Sequence, residues 1–417
     1  MQRVLVVLPF YGGSLPIGRY CASALRDIGC LVEVFDAPAF YGAFDAVKGL
    51  NVSMERQEYL ENSFLQVVTQ SVLATVERFE PDLVLCMAQA PLSRQGLSRL
   101  RKDGVTTAMW FVEDYRLFTY WRAFAPLYDV FAVIQREPFL SELARSGVAN
   151  ALYLPLAADP AVHKPLDLSP AERQQFGAEL SFMGAGYPNR RTAFHELVKY
   201  GLKIWGTEWD GDPILAPAVQ MRGRRISTED AVRIFNAACI NLNLHSSVKA
   251  EEVVSGGDFV NPRTFEIAAC GAFQLVDTRT LMADLFEEGD LATFSSLGEL
   301  EEKIIHFAAH PEERNAYALR GRERVLASHT YTARMRTLLD FVEERLPGVE
   351  KRVDRDWPED LPEALRKDLG ELYTALGLPS GSGFTDVVAA VRGKNEKLTP
   401  LETAILFLDE WKKQYSL

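Results

Sequence analysis

The sequence predicts an α/β fold made of two facing Rossmann-like domains, with a helical extension at the C-terminus. The chain has 417 residues, which is too many for a single hydrophobic core. Short apolar runs alternate with helical stretches over residues 1–160 and again over residues 177–330, and this alternation is typical of parallel, doubly wound sheets. We therefore expect two such domains, followed by a mostly helical return segment and appendage over residues 331–417.

The first domain opens with the apolar run RVLVVLPF, which we interpret as a strand. Gly12 and Gly13 follow it, then a helical stretch and a second strand, LVEVFD. Ligands bind at the carboxyl ends of strands in such sheets, so this glycine loop is expected to let a ligand approach the backbone closely. A nicotinamide-binding domain is the alternative, because Asp36 ends the second strand. The glycines at 12, 13 and 18 do not form a G-x-G-x-x-G, however.

A proline-punctuated stretch over residues 155–176 is interpreted as the linker between the domains. The second domain then repeats the alternation, with ELSFMGAG, GLKIWG, CINLNL and FQLVD as its expected strands. Near the C-terminus, the apolar spacing of LTPLETAILFLDEWKKQ is helical. We expect this appendage to lie against the main body, and a module that docks a partner is the alternative.

The formal net charge of −12 disfavours non-specific binding to nucleic acid or anionic membranes, because no global positive field attracts them. The sequence has no uncharged apolar run of ~18 residues, so no transmembrane segment is expected. The five cysteines form no CxxC pair, which fits a reducing compartment better than disulfides or a structural zinc site. We therefore expect a cytoplasmic protein.

The stretch GGDFVNPRTFEIAACG, residues 256–271, predicts a short helix with an anion site at its start. Asn261 is a favoured N-cap, Pro262 suits the first helical position, and Gly271 suits the left-handed end. The free N–H groups of the first turn and the helix dipole favour a bound anion. Arg263 adds a planar positive group in the same turn.

Two carboxylates flank this helix start, Asp258 before it and Glu266 one turn into it. A carboxylate that accepts two hydrogen bonds from a diol is an effective clamp for a ribose or a hexose. The pair therefore indicates a nucleotide-sugar site. Two structural alternatives stay open: Glu266 forms an ion pair with Arg263, three residues away on the helix, and Asp258 is a turn residue.

The acid-x7-acid spacing and the segment NPRTFEIAACG resemble the CgeB-like (spore maturation protein) branch of the GT-B glycosyltransferases. The resemblance covers residues 1–345 in the order of elements and is most specific in the second half. It implies that Glu266 contacts the ribose and that Asp258 lies near the donor sugar. The family has glutamate where this chain has Asp258, which leaves the role of that side chain open.

The segment SFMGAGYPNRR resembles the family's strand, glycine turn and basic residues that place positive charge on the donor diphosphate. The resemblance assigns this task to Gly184, Gly186, Arg190 and Arg191. As an alternative, the two arginines merely open an exposed helix.

A second segment, RGRRISTEDAVRIFNAACINLNLHSS, resembles the family block that passes the nucleotide base. It offers Arg224, Arg225 and His245 as groups of the wall or as phosphate ligands. A lone histidine after a strand is more often structural, and this alternative also stays open.

The expected strand MWFVED of the first domain ends in Glu113 and Asp114, beside several aromatic residues. Acids at the carboxyl end of a strand should border the cleft between the domains. Glu113 stands where related retaining enzymes often have a histidine. A carboxylate here acts either as the general base on an acceptor hydroxyl, giving inversion, or only orients the acceptor, leaving the donor phosphate as base with retention.

The sequence therefore predicts a metal-independent glycosyltransferase of the hexosyltransferase type, with a nucleoside diphosphate sugar, first of all a UDP-sugar, as substrate and no further cofactor. The glycine loop at Gly12 and Gly13 would face the acceptor or the donor phosphates. The acceptor (glycan, protein or small molecule), the stereochemistry and the oligomeric state stay open. The alternatives are a catalytically inactive nucleotide-sugar-binding protein of the same fold and a sugar-nucleotide epimerase.

Overall fold

Two parallel β-sheets, each covered by helices, form the body of the chain in the computed structural model, and a group of helices follows them. The predicted fold class is thereby confirmed. The structure describes residues 2–254, 256–347, 361–380, 382–394 and 396–415. Among these residues, no helix is both long and apolar enough to cross a membrane.

The first sheet has six parallel strands in the order β2–β1–β3–β4–β5–β6. The strands are β1 (Arg3–Val7), β2 (Leu31–Phe35), β3 (Leu83–Met87), β4 (Thr106–Phe111), β5 (Val130–Val133) and β6 (Ala151–Tyr153). The helices between them are α1 (Ser14–Asp27), α2 (Tyr41–Lys48), α3 (Met54–Phe79), α4 (Arg94–Lys102), α5 (Trp121–Phe124) and α6 (Phe139–Arg145). β1, β3 and β4 are buried along their whole length, as expected of strands covered by helices on both faces.

The second sheet has five parallel strands in the order β11–β10–β9–β7–β8. These strands are β7 (Ala178–Met183), β8 (Leu202–Trp205), β9 (Ala238–Asn243), β10 (Gln274–Asp277) and β11 (Ala292–Phe294). The helices of this part are α7 (Pro170–Phe176), α8 (Pro188–Leu197), α9 (Thr228–Ala237), α10 (Pro262–Ala269), α11 (Leu297–Ala309) and α12 (Pro311–Ser328).

The stretch that we interpreted as a linker contains a helix, α7. Ser169 caps it by accepting a hydrogen bond from the Glu172 N–H, while the Glu172 carboxylate accepts one from the Ser169 N–H. This reciprocal pattern is a capping box, and Pro170 occupies the first helical position. The Ser-x-x-Glu signal was present in the sequence, but the prolines around it favoured an irregular linker.

The chain returns to the first domain at the end of α12, and this return joins the two domains. Backbone hydrogen bonds link Ala158 to His329 and to Tyr331, after which α13 (Tyr331–Arg345) lies against α1. The buried guanidinium of Arg334 donates to the carbonyls of Pro155 and Leu156 and to Nδ1 of His329. One cluster of buried apolar side chains runs from β1 and α1 through α10 to α13.

Three further helices, α14 (Glu363–Leu376), α15 (Phe384–Arg392) and α16 (Pro400–Tyr415), share a small apolar core of their own. The segment 348–360 before them lies outside the described residues. The appendage lies against the first domain, as the sequence led us to expect. Arg3 at the start of β1 donates to the Thr385 carbonyl and lies 3.9 Å from the buried carboxylate of Asp386, and α15 contacts α3.

We expect the buried His329 to make the joint between the domains sensitive to acid. Its Nδ1 accepts from Arg334 and its Nε2–H donates to the Leu285 carbonyl at 2.6 Å, so the ring is neutral. Burial, assisted by the charge of Arg334, lowers the pKa of His329 from 6.5 to about 4. The neutral, hydrogen-bonded His329 contributes fully to the free energy of unfolding above pH 6.5, the usual pKa of the unfolded chain. Because its pKa in the folded state is lower, this contribution is lost as the pH falls towards 4.

The His329→Gln variant should therefore lose less stability than the wild type between pH 7 and pH 4.5, by roughly 2–3 kcal/mol. Urea unfolding at the two pH values measures the difference. The His310→Gln variant, changed at an exposed position, is the control and should follow the wild type. Equal acid sensitivity of the wild type and His329→Gln would show that His329 is not the titrating group.

Candidate functional site

A cleft of about 420 Å³ lies between the two domains. The first domain contributes Gly13 and one face of α1, including Tyr20. The second domain contributes the glycine turn after β7, the start of α9 and the first turn of α10. The volume falls within the range of ordinary ligand sites, so the cleft is large enough for a small substrate.

Four helices begin at this cleft. Gly13, Tyr187 and Ser227 are the N-cap residues of α1, α8 and α9, and Pro262 is the first residue of α10; all four line the cavity. In a parallel sheet, each helix that follows a strand starts at the carboxyl edge, so helix N-termini gather there. Each N-terminus carries a partial positive charge, and their convergence favours negative charge in the cleft.

The predicted start of α10 is confirmed in its details. The Asn261 side chain accepts a hydrogen bond from the Thr264 N–H at 3.1 Å, and Gly271 ends the segment with a φ of +64°. Pro262 has no N–H to donate. Among the described residues, the N–H of Arg263 is then the one backbone donor in the first turn for which no acceptor is found. The groups that the predicted anion could meet at this helix are therefore one backbone donor and the arginine side chain.

His245 holds this helix start in place and lies outside the residues that line the cleft, which corrects its predicted role in the wall or on a phosphate. Its Nε2 accepts the Asn261 N–H at 2.8 Å, and its Nδ1 lies 2.6 Å from Asp277 Oδ1. Because Nε2 accepts, the proton is on Nδ1 and is donated to Asp277. Burial lowers the pKa of His245, so the neutral ring persists.

The alternative that Glu266 pairs with Arg263 is what the structure shows. Arg263 Nη1 donates to Glu266 Oε2, and both residues line the cleft. The other carboxylate oxygen of Glu266 lies 3.8 Å from Nε2 of His163. Arg263 is 36% exposed and Glu266 only 6%, so the arginine is the more accessible half of the pair.

His163 belongs to the cleft and was missed in the sequence. Its Nδ1 accepts the Asp159 N–H at 3.1 Å, which places its proton on Nε2, directed towards Glu266. Burial lowers the pKa of His163, although the charge of Glu266 opposes the shift. His163 follows the Asp159-Pro160 pair within the proline-punctuated stretch that we interpreted as a linker, and for that reason it was not considered as a site residue.

Arg190 and Arg191 donate hydrogen bonds to the backbone around the glycine turn after β7. This corrects their predicted contact with a diphosphate. The Arg190 guanidinium donates to the carbonyls of Leu244 and Ala185, and Arg191 donates to those of Gly186, Glu208 and Asp210. Both are engaged with backbone oxygens, and neither lines the cleft. They fix the loops that form the cleft wall.

Gly184 lines the cleft, whereas Gly186 contacts the neighbouring loop at Glu208. A Cβ on Gly186 would collide with the carbonyl of Glu208, so the two loops approach more closely than any other residue would allow. Glu208 itself lines the cleft. The glycine turn therefore shapes the wall, with Gly184 as the member that a ligand can reach.

Of the two neighbouring arginines in the second motif, Arg225 faces the cleft and Arg224 does not. Arg225 lines the cavity and its Nη2 donates to the Gly12 carbonyl at 2.8 Å, which connects the second domain to the glycine loop of the first. Arg224 is exposed, and its nearest polar contact is the sulfur of Met221 at 3.6 Å. Of the two arginines that the sequence offered as ligands, only Arg225 is therefore at the cleft.

Glu113 lies just beyond the carboxyl end of β4, as expected, but it is not among the residues that line the cleft. It accepts hydrogen bonds from the Tyr120 hydroxyl at 2.8 Å and from the side-chain amide of Gln89. Burial raises the pKa of Glu113, and these two donors oppose the shift. The carboxylate is thus held in a fixed orientation and has a pKa moved towards neutrality, which suits a general base.

Asp114 and Asp258 meet across the domain boundary through Gln135. The buried amide of Gln135 donates to Asp258 Oδ1 at 2.8 Å and more weakly to Asp114 Oδ1 at 3.4 Å. Arg116 lies 3.7 Å from Asp258. Asp258 is not among the residues that line the cleft at α10, and in this structure it forms a contact between the domains.

The sequence is similar to known proteins over part of its length. Residues 189–340 match a family described as glycosyl transferase-like. The chain is 24% identical over 272 residues to Spore protein CgeB of Bacillus subtilis (strain 168), an overlap that spans 62% of this chain and 82% of that protein.

Two solved structures share the fold over both domains. Sucrose-phosphate synthase from Thermosynechococcus elongatus gives a TM-score of 0.56 at 14% identity and covers 82% of this chain and 99% of its own. Anabaena Alr3699/HepE in complex with UDP-glucose gives a TM-score of 0.57 at 12% identity, over 82% of this chain and 100% of its own. At such low identity, these similarities show the common fold.

The contact between His245 and the start of α10 predicts a measurable loss of stability in the His245→Phe variant. Phenylalanine has a similar shape but leaves the part-buried Asn261 N–H without its acceptor and removes one donor from the buried Asp277 carboxylate, which should cost about 2–4 kcal/mol. Thermal and urea unfolding measure this loss. The control is His306→Phe at an exposed position of α11, which should change the unfolding free energy by less than about 0.5 kcal/mol. Equal stability of both variants would contradict the assignment.

Proposed function

We propose that this chain, a CgeB-like protein with the fold of the GT-B glycosyltransferases, transfers a sugar from a nucleoside diphosphate sugar to an acceptor hydroxyl. The observation that carries the proposal is the convergence of four helix N-termini with Arg225 and Arg263 in one cleft between the domains. A UDP-sugar is the first donor to test, because the similar Anabaena protein was solved with UDP-glucose.

The diphosphate of the donor would lie against the start of α10. Arg263 supplies a guanidinium that is partly accessible from the cleft, and its backbone N–H points out of the first helical turn. Arg225 approaches from the wall formed by α9. These groups are in place before the reaction, so they stabilise the negative charge that develops on the leaving diphosphate without reorganisation.

The carboxylates in the cleft suit the hydroxyl-rich parts of the same donor. Glu266 already holds one oxygen against Arg263, and its second oxygen faces the Nε2–H of His163 at 3.8 Å, a separation too long for a hydrogen bond. A ribose hydroxyl can donate to that oxygen. Glu208, which also lines the cleft, provides a second acceptor.

Glu113 is proposed as the general base that removes the proton from the acceptor hydroxyl. It lies at the carboxyl edge of the first sheet, held by Tyr120 and Gln89, and burial raises its pKa. The scheme requires no metal ion, since arginines and helix N-termini supply the positive charge at the diphosphate. Transfer assays that contain EDTA test this requirement.

The Arg263→Ala variant should bind UDP at least tenfold more weakly than the wild type, because it loses a charge-assisted hydrogen bond and leaves Glu266 unpaired beside the diphosphate. Isothermal titration calorimetry with UDP measures the change. Arg224→Ala removes the same charge from an exposed neighbour of the cleft and should bind UDP as the wild type does. If UDP binds Arg263→Ala with unchanged affinity, the diphosphate does not lie at α10.

The Glu113→Gln variant separates catalysis from binding. It should release sugar from UDP-glucose, UDP-galactose or UDP-N-acetylglucosamine at least a hundredfold more slowly than the wild type, with UDP affinity unchanged. For the wild type, the acid limb of the rate profile should lie above the usual carboxyl pKa of ~4.3, because burial raises the pKa of Glu113. Glu55→Gln, at an exposed position in the first turn of α3, is the matched control. A wild type that binds UDP but releases no sugar would be a nucleotide-sugar-binding protein.

A further inference from the structure

Two histidines and a glutamate lie together where α11 ends and α12 begins. His306 is in the last turn of α11, His310 lies between the two helices, and Glu313 is in the first turn of α12. One nitrogen of each histidine and one carboxylate oxygen of Glu313 lie within 4.8 Å of one another. All three side chains are exposed, and none is among the residues that line the cleft.

The contacts inside this cluster orient the two imidazole rings. The rings of His306 and His310 are nearly parallel, with centroids 4.1 Å apart, and His306 Nε2 lies 3.0 Å from Glu313 Oε2. His310 Nδ1 lies 2.6 Å from the His306 carbonyl, which can only accept, so His310 carries a proton on Nδ1. In the neutral ring, Nε2 then has the lone pair. Histidines that bind metals are commonly held in this way, by a hydrogen bond from the other ring nitrogen to a backbone carbonyl.

The backbone on both sides of the cluster is held in place. Arg314, in the first turn of α12, donates to the carbonyls of Phe307 and Ala308 at the end of α11. The buried ring of Phe307 contacts Tyr317 of α12 edge to face, with centroids 5.7 Å apart. A bound ion therefore needs to order only exposed side chains and not the connection between the helices, which lowers the cost of binding.

Two imidazoles and a carboxylate are a ligand set that suits zinc, whereas calcium and magnesium prefer oxygen ligands alone. With Zn–N bonds of about 2.0–2.1 Å, neighbouring ligand atoms of a tetrahedral site lie about 3.4 Å apart. The His306 and Glu313 atoms are already close to this separation, and rotation of the exposed His310 side chain can bring its nitrogen in.

We propose that His306, His310 and Glu313 bind a zinc ion that joins the end of α11 to the start of α12. Water would occupy the fourth position. On binding, the proton that lies between His306 Nε2 and Glu313 is released to solvent, because both atoms become ligands.

The zinc ion would lie far from the cleft. Helix α11 follows β11 and so begins at the carboxyl edge of the second sheet. Its 13 residues span about 20 Å, which places its end towards the opposite edge. The ion would therefore act on the stability of the second domain and take no part in the proposed transfer.

Isothermal titration calorimetry with zinc chloride tests the site, using the full chain after treatment with EDTA and removal of the chelator. The wild type should bind zinc. His310→Gln and Glu313→Gln should each bind it at least about tenfold more weakly, because even the loss of an outer partner of a ligand costs this much. Glu312→Gln removes the same charge from an exposed position in the same turn and should bind zinc as the wild type does.

Thermal unfolding of the same four proteins reports on the connection between the helices. In EDTA they should unfold at similar temperatures, because the changed side chains are exposed. Zinc should raise the unfolding temperature of the wild type and Glu312→Gln, and raise it less in the other two variants. The proposed site is wrong if the wild type binds no zinc, or if either His310→Gln or Glu313→Gln keeps its full affinity, which would indicate an adventitious ion only. Equal weakening in Glu312→Gln would also contradict it, since a general effect of charge would then explain the result.

Discussion

The direction of the strands is the constraint on which the rest of the structure depends. Every strand of both sheets is parallel to its neighbours, so every helix that follows a strand begins at the same edge of its sheet. The two edges face each other, and the N-termini of α1, α8, α9 and α10 come together at the cleft. Each contributes about 0.3–1 kcal/mol to a nearby anion, so the backbone itself makes the cleft favourable for a phosphate.

This arrangement works only if the two edges stay face to face, and buried polar contacts hold them there. Arg334 and His329 tie the return of the chain to the linker, and Gln135 joins Asp114 to Asp258 on the other side of the boundary. Removing a single partner from such buried contacts leaves an unsatisfied polar group. The contacts therefore specify one relative position of the domains, and hence one shape of the cleft.

The charged residues near the cleft divide into two groups by whether they line it. Arg190 and Arg191 donate to backbone carbonyls and support the loops, and His245 with Asp277 supports the start of α10. Arg225 and Arg263 keep part of their surface open to the cleft. A site for a charged ligand needs both groups. The accessible cations stabilise a bound negative charge best when the loops around them are held in a fixed position. Motif spacing alone does not distinguish the two groups.

The sequence by itself determined the two parallel sheets, the start and end of α10, and the position of Glu113 at a strand end. These features depend on local patterns: apolar periodicity, an Asn-Pro cap with a terminal glycine, and strand length. Only the tertiary structure decided that Arg225 rather than Arg224 faces the cleft, that His163 joins Glu266, and that Asp258 contacts Gln135. No local pattern encodes the direction in which a loop side chain points. Nor does it encode a contact such as that between Asp258 and Gln135, which are 123 positions apart, because such contacts depend on how the domains come together.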